Sequence, residues 1–149
     1  MPDLPRDGVV ITVNAEDVTA TVVGMMERGV RAALANEEAS GAEMSVTLLD
    51  DGGIQKMNAT YLERDRPTDV IAFSLGGPGD VLGDVYIGYA QAERQATEHG
   101  EAIEIELLRL AIHGTLHVLG YDHPDGTERW DSEMFALQER LVAEVLRGV

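Results

Sequence analysis

The apolar residues of this chain follow two different spacings, one typical of strands and the other of helices. Short apolar and β-branched runs predict four strands, at 9–13, 44–49, 69–75 and 81–87. Apolar residues at the 3.6-residue period of an amphipathic helix predict five helices, at about 16–36, 54–63, 90–98, 102–119 and 127–147. The pattern therefore predicts one α+β domain over residues 1–149, with about four strands and five helices.

Turn and capping residues mark the ends of several of these elements. The glycine-rich segment 76–80 separates the last two predicted strands, which we expect to pair as a hairpin. Asp50 or Asp51 is expected to cap the second helix. The apolar side of that helix is predicted to carry Ile54, Met57, Tyr61 and Leu62. No linker, internal repeat or low-complexity tract interrupts the order of elements, which supports a single domain.

Composition narrows the class of protein. The chain has 149 residues, 44% of them hydrophobic, which is enough to build a core. It has no cysteine, so any metal must be held by histidine and carboxylate groups. No basic leader followed by an apolar run opens the chain, and no apolar stretch approaches the ~18 residues of a membrane span. We therefore expect a soluble cytoplasmic protein without a membrane partner.

The charge of the chain argues against broad nucleic-acid binding. Lysine and arginine number 11 against 27 aspartates and glutamates, for a net charge of −16. A phosphate backbone is repelled by such a protein, so nonspecific binding should be weak and sensitive to salt. Net charge does not determine what a local cleft can bind, however, and a metal ion would add a positive focus.

Three of the four histidines fall in one segment, at positions 113, 117 and 123. His113 and His117 are four residues apart and would lie one turn from each other on the same face of a helix. Gly120 is expected to end that helix, because glycine adopts the left-handed conformation without steric cost. The chain can then turn back and bring His123 to the same point. Three imidazoles leave the fourth position of a tetrahedral zinc open, as in catalytic zinc sites.

The same spacing occurs in the zinc site of metzincin peptidases, but one residue differs here. Those enzymes have a glutamate directly after the first histidine, where it acts as general base. This chain has Gly114 at that position, and a peptidase mechanism would lack its proton acceptor. The fourth histidine, His99, stands apart at a predicted helix end, where a structural or solvent-exposed role is expected. The metal site is retained in this interpretation, and peptide hydrolysis is disfavoured.

The histidine segment resembles the hallmark of a known family. Residues 113–123 read His-Gly-Thr-Leu-His-Val-Leu-Gly-Tyr-Asp-His, and the YbeY family carries His-Gly-x-Leu-His-Leu-x-Gly-Tyr-Asp-His. Residues 58–74 are similar to a second block of that family and residues 82–85 to a third, in the same order and spacing. The matching blocks cover roughly the central half of the chain. The family consists of bacterial rRNA maturation factors, described as single-strand-specific, metal-dependent endoribonucleases.

The resemblance implies a fold, a cofactor and a substrate. The fold would be a compact domain with a small mixed sheet and the histidine-bearing helix at the metal site. His113, His117 and His123 would bind one Zn²⁺ per chain. The protein would be a zinc-dependent endoribonuclease that cuts single-stranded rRNA precursors during maturation and ribosome quality control. Its protein partners would be a ribosomal small-subunit protein or an assembly GTPase.

One position departs from the family pattern. Many members carry an arginine directly after the tyrosine of the second block, and this chain has Leu62 there. Arg64 and Arg66 are near enough to replace it, and Lys56, the only lysine, lies in the same segment. These three residues are the candidate substrate-binding groups. The alternative interpretation of the same charges is a solvated helix face followed by a loop.

The chemistry of RNA hydrolysis is compatible with such a site. A zinc ion can polarise a phosphoryl oxygen and lower the pKa of its bound water towards ~7. The catalytic residues remain unassigned by the sequence, with Asp84, Glu106 and Asp122 as candidate carboxylates in or near the matching blocks. The 2′-hydroxyl of the RNA could itself be the nucleophile. The competing hypothesis is a non-catalytic zinc-binding ribosome-assembly factor, with a metallopeptidase third.

Overall fold

Four strands and five helices form in the order that the hydrophobic pattern predicts. The computed structural model describes residues 8–16, 18–63, 68–77, 80–121 and 133–148. In these residues the strands are β1 (Val10–Asn14), β2 (Glu43–Leu49), β3 (Val70–Ser74) and β4 (Leu82–Gly88). The helices are α1 (Ala20–Asn36), α2 (Asp51–Leu62), α3 (Tyr89–His99), α4 (Ile103–Val118) and α5 (Glu133–Leu146). The part of the last predicted helix between 127 and 132 lies outside the described residues.

Capping residues decide where the first two helices begin. The Thr19 hydroxyl accepts the backbone N–H of Val22 at 3.3 Å, so α1 starts at Ala20 and not near residue 16. Asp50 caps α2 as one of the two predicted candidates, with its carboxylate accepting the N–H of Gly53 at 2.7 Å. This cap starts α2 three residues earlier than its apolar pattern indicates, since the first turn contains Gly52 and Gly53.

The sheet is mixed, and its strand order is β1-β2-β4-β3. Strands β1, β2 and β4 are parallel, with α1 as the crossover between the first two. Strand β3 runs antiparallel to β4 and pairs Ala72 with Val85, as the predicted hairpin requires. The α+β class and the small mixed sheet are confirmed.

Helix α4 lies at the centre of the molecule. One core cluster joins the sheet to α1 and α4, and a second joins α4 to α1 and α5. Leu107, Ala111 and Leu116, predicted as its core side, are fully buried. The histidine-bearing helix is therefore held between the sheet and α5. No helix in the described ranges combines the length and apolar character needed to cross a membrane.

Helix α2 buries a different side from the predicted one. Ile54 is buried as expected, but Tyr61 and Leu62 are 62% and 46% exposed. The inward position one turn after Ile54 is occupied by Asn58, which is 2% exposed. Tyr61 instead packs edge-on against Phe73 of β3, with ring centroids 5.5 Å apart. The period of the apolar residues cannot reveal this arrangement, because the buried residue one turn after Ile54 is the polar Asn58.

Candidate functional site

The two histidines of α4 point their ring nitrogens at each other. The Nε2 atoms of His113 and His117 are 3.1 Å apart, and their half-buried rings lie nearly perpendicular, at 82°. Four-residue spacing on a helix explains the proximity. Two imidazole ligands of a tetrahedral zinc, at ~2.0–2.1 Å from the metal, would have nitrogens roughly 3.3 Å apart. The separation fits two neighbouring positions of such a site.

The other nitrogen of each ring has an oxygen acceptor. His117 Nδ1 lies 2.9 Å from the carbonyl oxygen of Tyr121, and His113 Nδ1 lies 2.6 Å from Oε1 of Gln138. Both oxygens only accept, so each Nδ1 carries the proton and donates. In the neutral rings, the lone pairs of the two Nε2 atoms then face each other. Such a pair repels unless a cation, a proton or a metal ion, lies between the nitrogens.

The end of α4 places the acceptor for His117. Gly120 has a φ of +102°, and the backbone N–H of Tyr121 donates to the carbonyl of Leu116 at 3.0 Å. The N–H of Gly120 donates to the carbonyl of His117 itself, also at 3.0 Å. This pair of bonds is a Schellman motif, which reverses the chain direction after the helix. The prediction that Gly120 ends the helix is confirmed, and the turn directs the Tyr121 carbonyl towards His117.

Several predicted site residues are not brought to this pair within the described part of the chain. His123, Arg64 and Arg66 lie outside the described residues, as does Asp122. Lys56 is exposed on α2, and it does not line the cavity next to His113. These residues stay predictions.

A cavity of about 450 Å³ opens beside His113, between α3, α4 and α5. In the described part of the chain, the guanidinium of Arg109 lies among the carboxylates that line this cavity: Asp69, Glu98, Glu101, Glu106 and Glu139. Arg109 donates to Glu101 and Glu106 through Nη1, at 2.6 and 3.0 Å, and to Glu139 through Nε at 2.9 Å. Its Nη2 donates to Glu101 and Glu139, both at 3.1 Å. All five N–H groups of Arg109 are therefore used within the protein.

These contacts shift the pKa values of the groups involved. Burial alone would lower the pKa of Arg109, but its hydrogen bonds to Glu101 and Glu139 outweigh that effect and raise it. The hydrogen bond from Arg109 lowers the pKa of Glu101. Glu106 is 3% exposed, and its burial raises its pKa despite the attraction of Arg109. The described lining of the cavity is acidic, and the guanidinium of Arg109 is already neutralised there, so this surface would repel a phosphate.

A second group of possible metal ligands lies in the same cavity. Ligand atoms of His99, Glu101 and Glu106 come within 4.8 Å of one another. His99 is half exposed, with its Nδ1 3.8 Å from Glu106 Oε2. The guanidinium of Arg109 contacts both carboxylates and supplies the positive charge that a metal ion would supply there. This cluster is explained by Arg109 and is a weaker metal candidate than the histidine pair.

Two of the three candidate catalytic carboxylates can be placed. Asp84 follows Gly83 and precedes Val85 on β4, and side chains alternate between the two faces of a strand. Val85 faces α4, so Asp84 points to the opposite face of the sheet, away from the histidine pair. Glu106 lines the cavity that reaches His113, although Arg109 holds it. Of these two, only Glu106 shares a cavity with a predicted ligand.

The packing of Gly114 explains why no glutamate follows the first histidine. A Cβ atom on Gly114 would lie 2.5 Å from Cγ1 of Val85 and 3.3 Å from Cγ2 of Val70. Helix α4 approaches the sheet so closely here that no side chain fits. A carboxylate at position 114 would be forced against two valines, so the chain has no room for the general base of a metzincin.

Two residues of the site were missed by sequence reasoning. Gln138 is 5% exposed on α5 and accepts from His113, and Arg109 organises the cavity next to it. A signal was present for Gln138, which occupies an apolar-stripe position of α5 between Met134 and Leu141. A polar residue at a buried helix position must find a hydrogen-bond partner, and here the partner is a histidine.

Comparison with known proteins agrees with the fold and with the motif blocks. Residues 10–146 match the family described as Endoribonuclease YbeY. A protein of that name from Geobacillus kaustophilus is 41% identical over 140 residues, which cover 85% of this chain and 88% of the relative. Another from Desulfitobacterium hafniense is 39% identical over 139 residues, which cover 85% of this chain and 87% of the relative.

A solved structure shows the same architecture. The solution structure of TM1509 from Thermotoga maritima superposes with a TM-score of 0.66 at 30% sequence identity. The match covers 94% of this chain and 90% of that protein. The family match extends over nearly the whole length, and the relatives are covered over most of theirs. This chain belongs to the Endoribonuclease YbeY family.

Proposed function

We propose that this protein is a zinc-dependent endoribonuclease that cuts single-stranded rRNA precursors in the cytoplasm. His113, His117 and His123 are the proposed zinc ligands. The observation that carries the proposal is the convergence of two Nε2 atoms whose Nδ1 partners are both oxygen acceptors. A pair of imidazoles prepared in this way favours a cation between the two nitrogens, and the family membership identifies the substrate class as RNA.

The chain supports this chemistry by orienting the ligands. Bound zinc would supply a Lewis acid able to polarise a phosphoryl oxygen and activate water at neutral pH. The carbonyl of Tyr121 and the amide of Gln138 fix the two rings so that Nε2 faces the site. Tyr121 is itself held, because its hydroxyl donates to Glu37 at the end of α1. The ligand geometry is thus tied to α1, α4 and α5 before any metal binds.

The RNA path is constrained by charge. The cavity between α3, α4 and α5 is lined by carboxylates and would repel phosphates. We propose that RNA approaches from the side of the α2–β3 connection, where Lys56, Arg64 and Arg66 would contact the backbone. An overall charge of −16 would also favour a basic partner such as a ribosomal small-subunit protein, with an assembly GTPase as the other candidate. Contacts with such partners would bring the protein to the ribosome, where we propose that it takes part in quality control.

The test is cleavage of a single-stranded RNA by highly purified protein and by three histidine variants. His113→Ala and His117→Ala should lose at least about 100-fold in rate, because each removes a ligand and the charge stabilisation that depends on it. His99→Ala is the matched control, since His99 ends the neighbouring helix and lies half exposed. It should keep its activity.

Three results would overturn parts of the proposal. Full activity in His113→Ala and His117→Ala would indicate a contaminating nuclease. Zinc binding without cleavage by the wild type would favour the non-catalytic assembly factor. Hydrolysis of casein instead of RNA would favour a peptidase. Product ends identify the nucleophile, because 5′-phosphate and 3′-hydroxyl ends indicate water and exclude the ribose 2′-hydroxyl.

A further inference from the structure

We propose that Glu139 and Arg109 are positioning residues that set the orientation of the Gln138 amide and, through it, the tautomer of His113. The inference rests on the proposed metal site and adds to it residues that touch neither metal nor substrate. A continuous path of hydrogen bonds connects them. Arg109 donates to Glu139, Gln138 donates to Glu139 from Nε2 at 3.0 Å, and His113 donates to Gln138 Oε1.

A glutamine amide beside a histidine can adopt either of two flipped orientations. Its oxygen would accept from a protonated Nδ1, and its NH₂ group would donate to a deprotonated Nδ1. The two arrangements require opposite tautomers of His113. With the oxygen inward, Nε2 keeps its lone pair for the metal site. With the NH₂ group inward, Nε2 carries the proton of the neutral ring and cannot bind a metal.

The Glu139 carboxylate decides between the two orientations. A carboxylate only accepts hydrogen bonds, so the amide end that faces Glu139 must be the NH₂ group. The oxygen of Gln138 must then face His113. Gln138 is 5% exposed, so water cannot readily replace either partner. Through the side chain of Gln138, Glu139 thereby selects the tautomer of His113 that can bind a metal.

Arg109 holds Glu139 in the orientation that this selection requires. Its Nε and Nη2 groups contact both carboxylate oxygens of Glu139, at 2.9 to 3.2 Å. Its Nη1 group is fixed in turn by Glu101 and Glu106. The side chain of Arg109 is 16% exposed, so these pairs are less screened than surface pairs. The carboxylates of the acidic cavity beside His113 therefore hold Arg109 and, through Glu139, the amide of Gln138.

The chain offers a matched control for the experiment. Glu139 and Glu144 both lie on α5, both pair with an arginine, and their side chains are 35% and 34% exposed. Only Glu139 contacts Gln138. The variants are Glu139→Ala, Glu144→Ala, Gln138→Met and the conservative Glu139→Gln, whose amide oxygen can still accept from Gln138. The probe is zinc alone, measured by competition with a chelator, together with histidine ¹⁵N NMR of the metal-free protein.

The expected results separate positioning from general stability. Removal of a hydrogen-bond partner behind a metal ligand typically weakens metal binding 10- to 100-fold. We expect a loss of zinc affinity in this range for Gln138→Met and of about tenfold for Glu139→Ala. The affinity of Glu139→Gln should lie between those of Glu139→Ala and the wild type, and that of Glu144→Ala should equal the wild type. In the metal-free wild type His113 should be the Nδ1–H tautomer, and in Glu139→Ala it should become a mixture.

Two outcomes would overturn the inference. One is an equal zinc affinity in Glu139→Ala and Glu144→Ala, and the other is a single Nδ1–H tautomer of His113 in Glu139→Ala. A wild-type protein that binds no zinc would instead refute the proposed metal site. The tautomer measurement would still test the inference in that case, because it needs no metal. Thermal unfolding of each variant checks that a weaker affinity is not a loss of fold.

Discussion

At the scale of single residues, the site depends on which atom each side chain presents. His113 and His117 turn Nε2 towards each other because Gln138 and Tyr121 occupy Nδ1. The i,i+4 spacing predicts the pair, since local helix geometry fixes the distance. The place of Gln138 on the apolar stripe of α5 indicates that it is buried, but its pairing with His113, 25 residues away, could not be predicted, because no local rule relates two helices at that separation. The same limit applies to the contact between Arg109 and Glu139.

Gly114 should be intolerant of the smallest side chain. In Gly114→Ala the new methyl would lie 2.5 Å from Cγ1 of Val85, and the stiff valine cannot move away. We expect a loss of about 1–3 kcal/mol in the free energy of unfolding, as for other overpacked cores. Urea denaturation measures it.

Gly24→Ala is the matched control for this substitution. Gly24 also lies within a helix, but among the described residues its Cβ would meet only Nη1 of Arg28, at 3.6 Å. Alanine should stabilise that position by about 0.5–1 kcal/mol, because it restricts the unfolded chain. Equal effects of the two substitutions would contradict the close packing of α4 on the sheet.

Glu106 and Glu101 should show opposite pH dependence in the metal-free protein. Burial raises the pKa of Glu106 above its usual 4.5, so the stability gained by protonating it is lost as the pH rises through the raised value. Glu106→Gln keeps an acceptor for Arg109 and should gain stability relative to wild type as the pH rises from 4.5. Of the residues that the structure describes, His99, Glu101 and Arg109 are the charged or titratable groups that act on Glu106.

For Glu101 the sign reverses. The hydrogen bond from Arg109 lowers its pKa, so its contribution to stability is present above pH 4.5 and disappears as the pH falls through the lowered value. Glu101→Gln should therefore be less stable than wild type at pH 7, and the difference should shrink on acidification. Urea unfolding between about pH 3 and 8 covers the windows of both variants, and slopes of the same sign would refute this assignment.

At the scale of elements, strands and helices followed from periodicity, and their ends followed from caps. Asp50 and Gly120 act as predicted, because each satisfies backbone groups within a few residues of itself. The prediction of which side of α2 is buried was wrong, because the helix buries the polar Asn58 and leaves Tyr61 and Leu62 exposed. Tertiary packing determines which side of this helix is buried, and the spacing of hydrophobic residues does not predict it.

Gly120 should matter for metal binding and not only for stability. Alanine at its φ of +102° would strain the turn that directs the Tyr121 carbonyl to His117. Gly120→Ala should lose roughly 1–2 kcal/mol of stability and about tenfold in zinc affinity. Gly100, with a φ of +65° at the end of α3, is the control. Gly100→Ala should lose similar stability and keep its zinc affinity, and equal zinc affinities in both variants would refute the role of the turn.

At the scale of the whole molecule, the acidic charge limits how RNA is bound. Three proposed cationic contacts, Lys56, Arg64 and Arg66, would release few counterions from single-stranded RNA. The slope of log K against log salt should be no steeper than about −2, which is roughly −0.7 per contact. Long-range repulsion by the charge of −16 is screened as salt rises, which flattens the slope further.

Binding of single-stranded RNA by His117→Ala, which is expected to bind without cleaving, tests this slope from about 10 to 150 mM salt. Lys56→Gln should reduce its magnitude by roughly 0.7, the share of one phosphate contact. A slope steeper than about −4 would need more than five such contacts and would indicate a different RNA surface. A slope unchanged by Lys56→Gln would remove that residue from the interface.

We propose that one zinc ion, held by the histidines of α4 and by His123, makes this protein a nuclease. This dependence on zinc is tested most directly by stripping the protein of metal and titrating zinc while the initial rate of single-stranded RNA cleavage is followed. We expect no cleavage by the stripped protein and a rate that saturates at one zinc per chain. A stripped protein that cleaves at the full rate, or a rate that does not respond to zinc, would contradict the proposal.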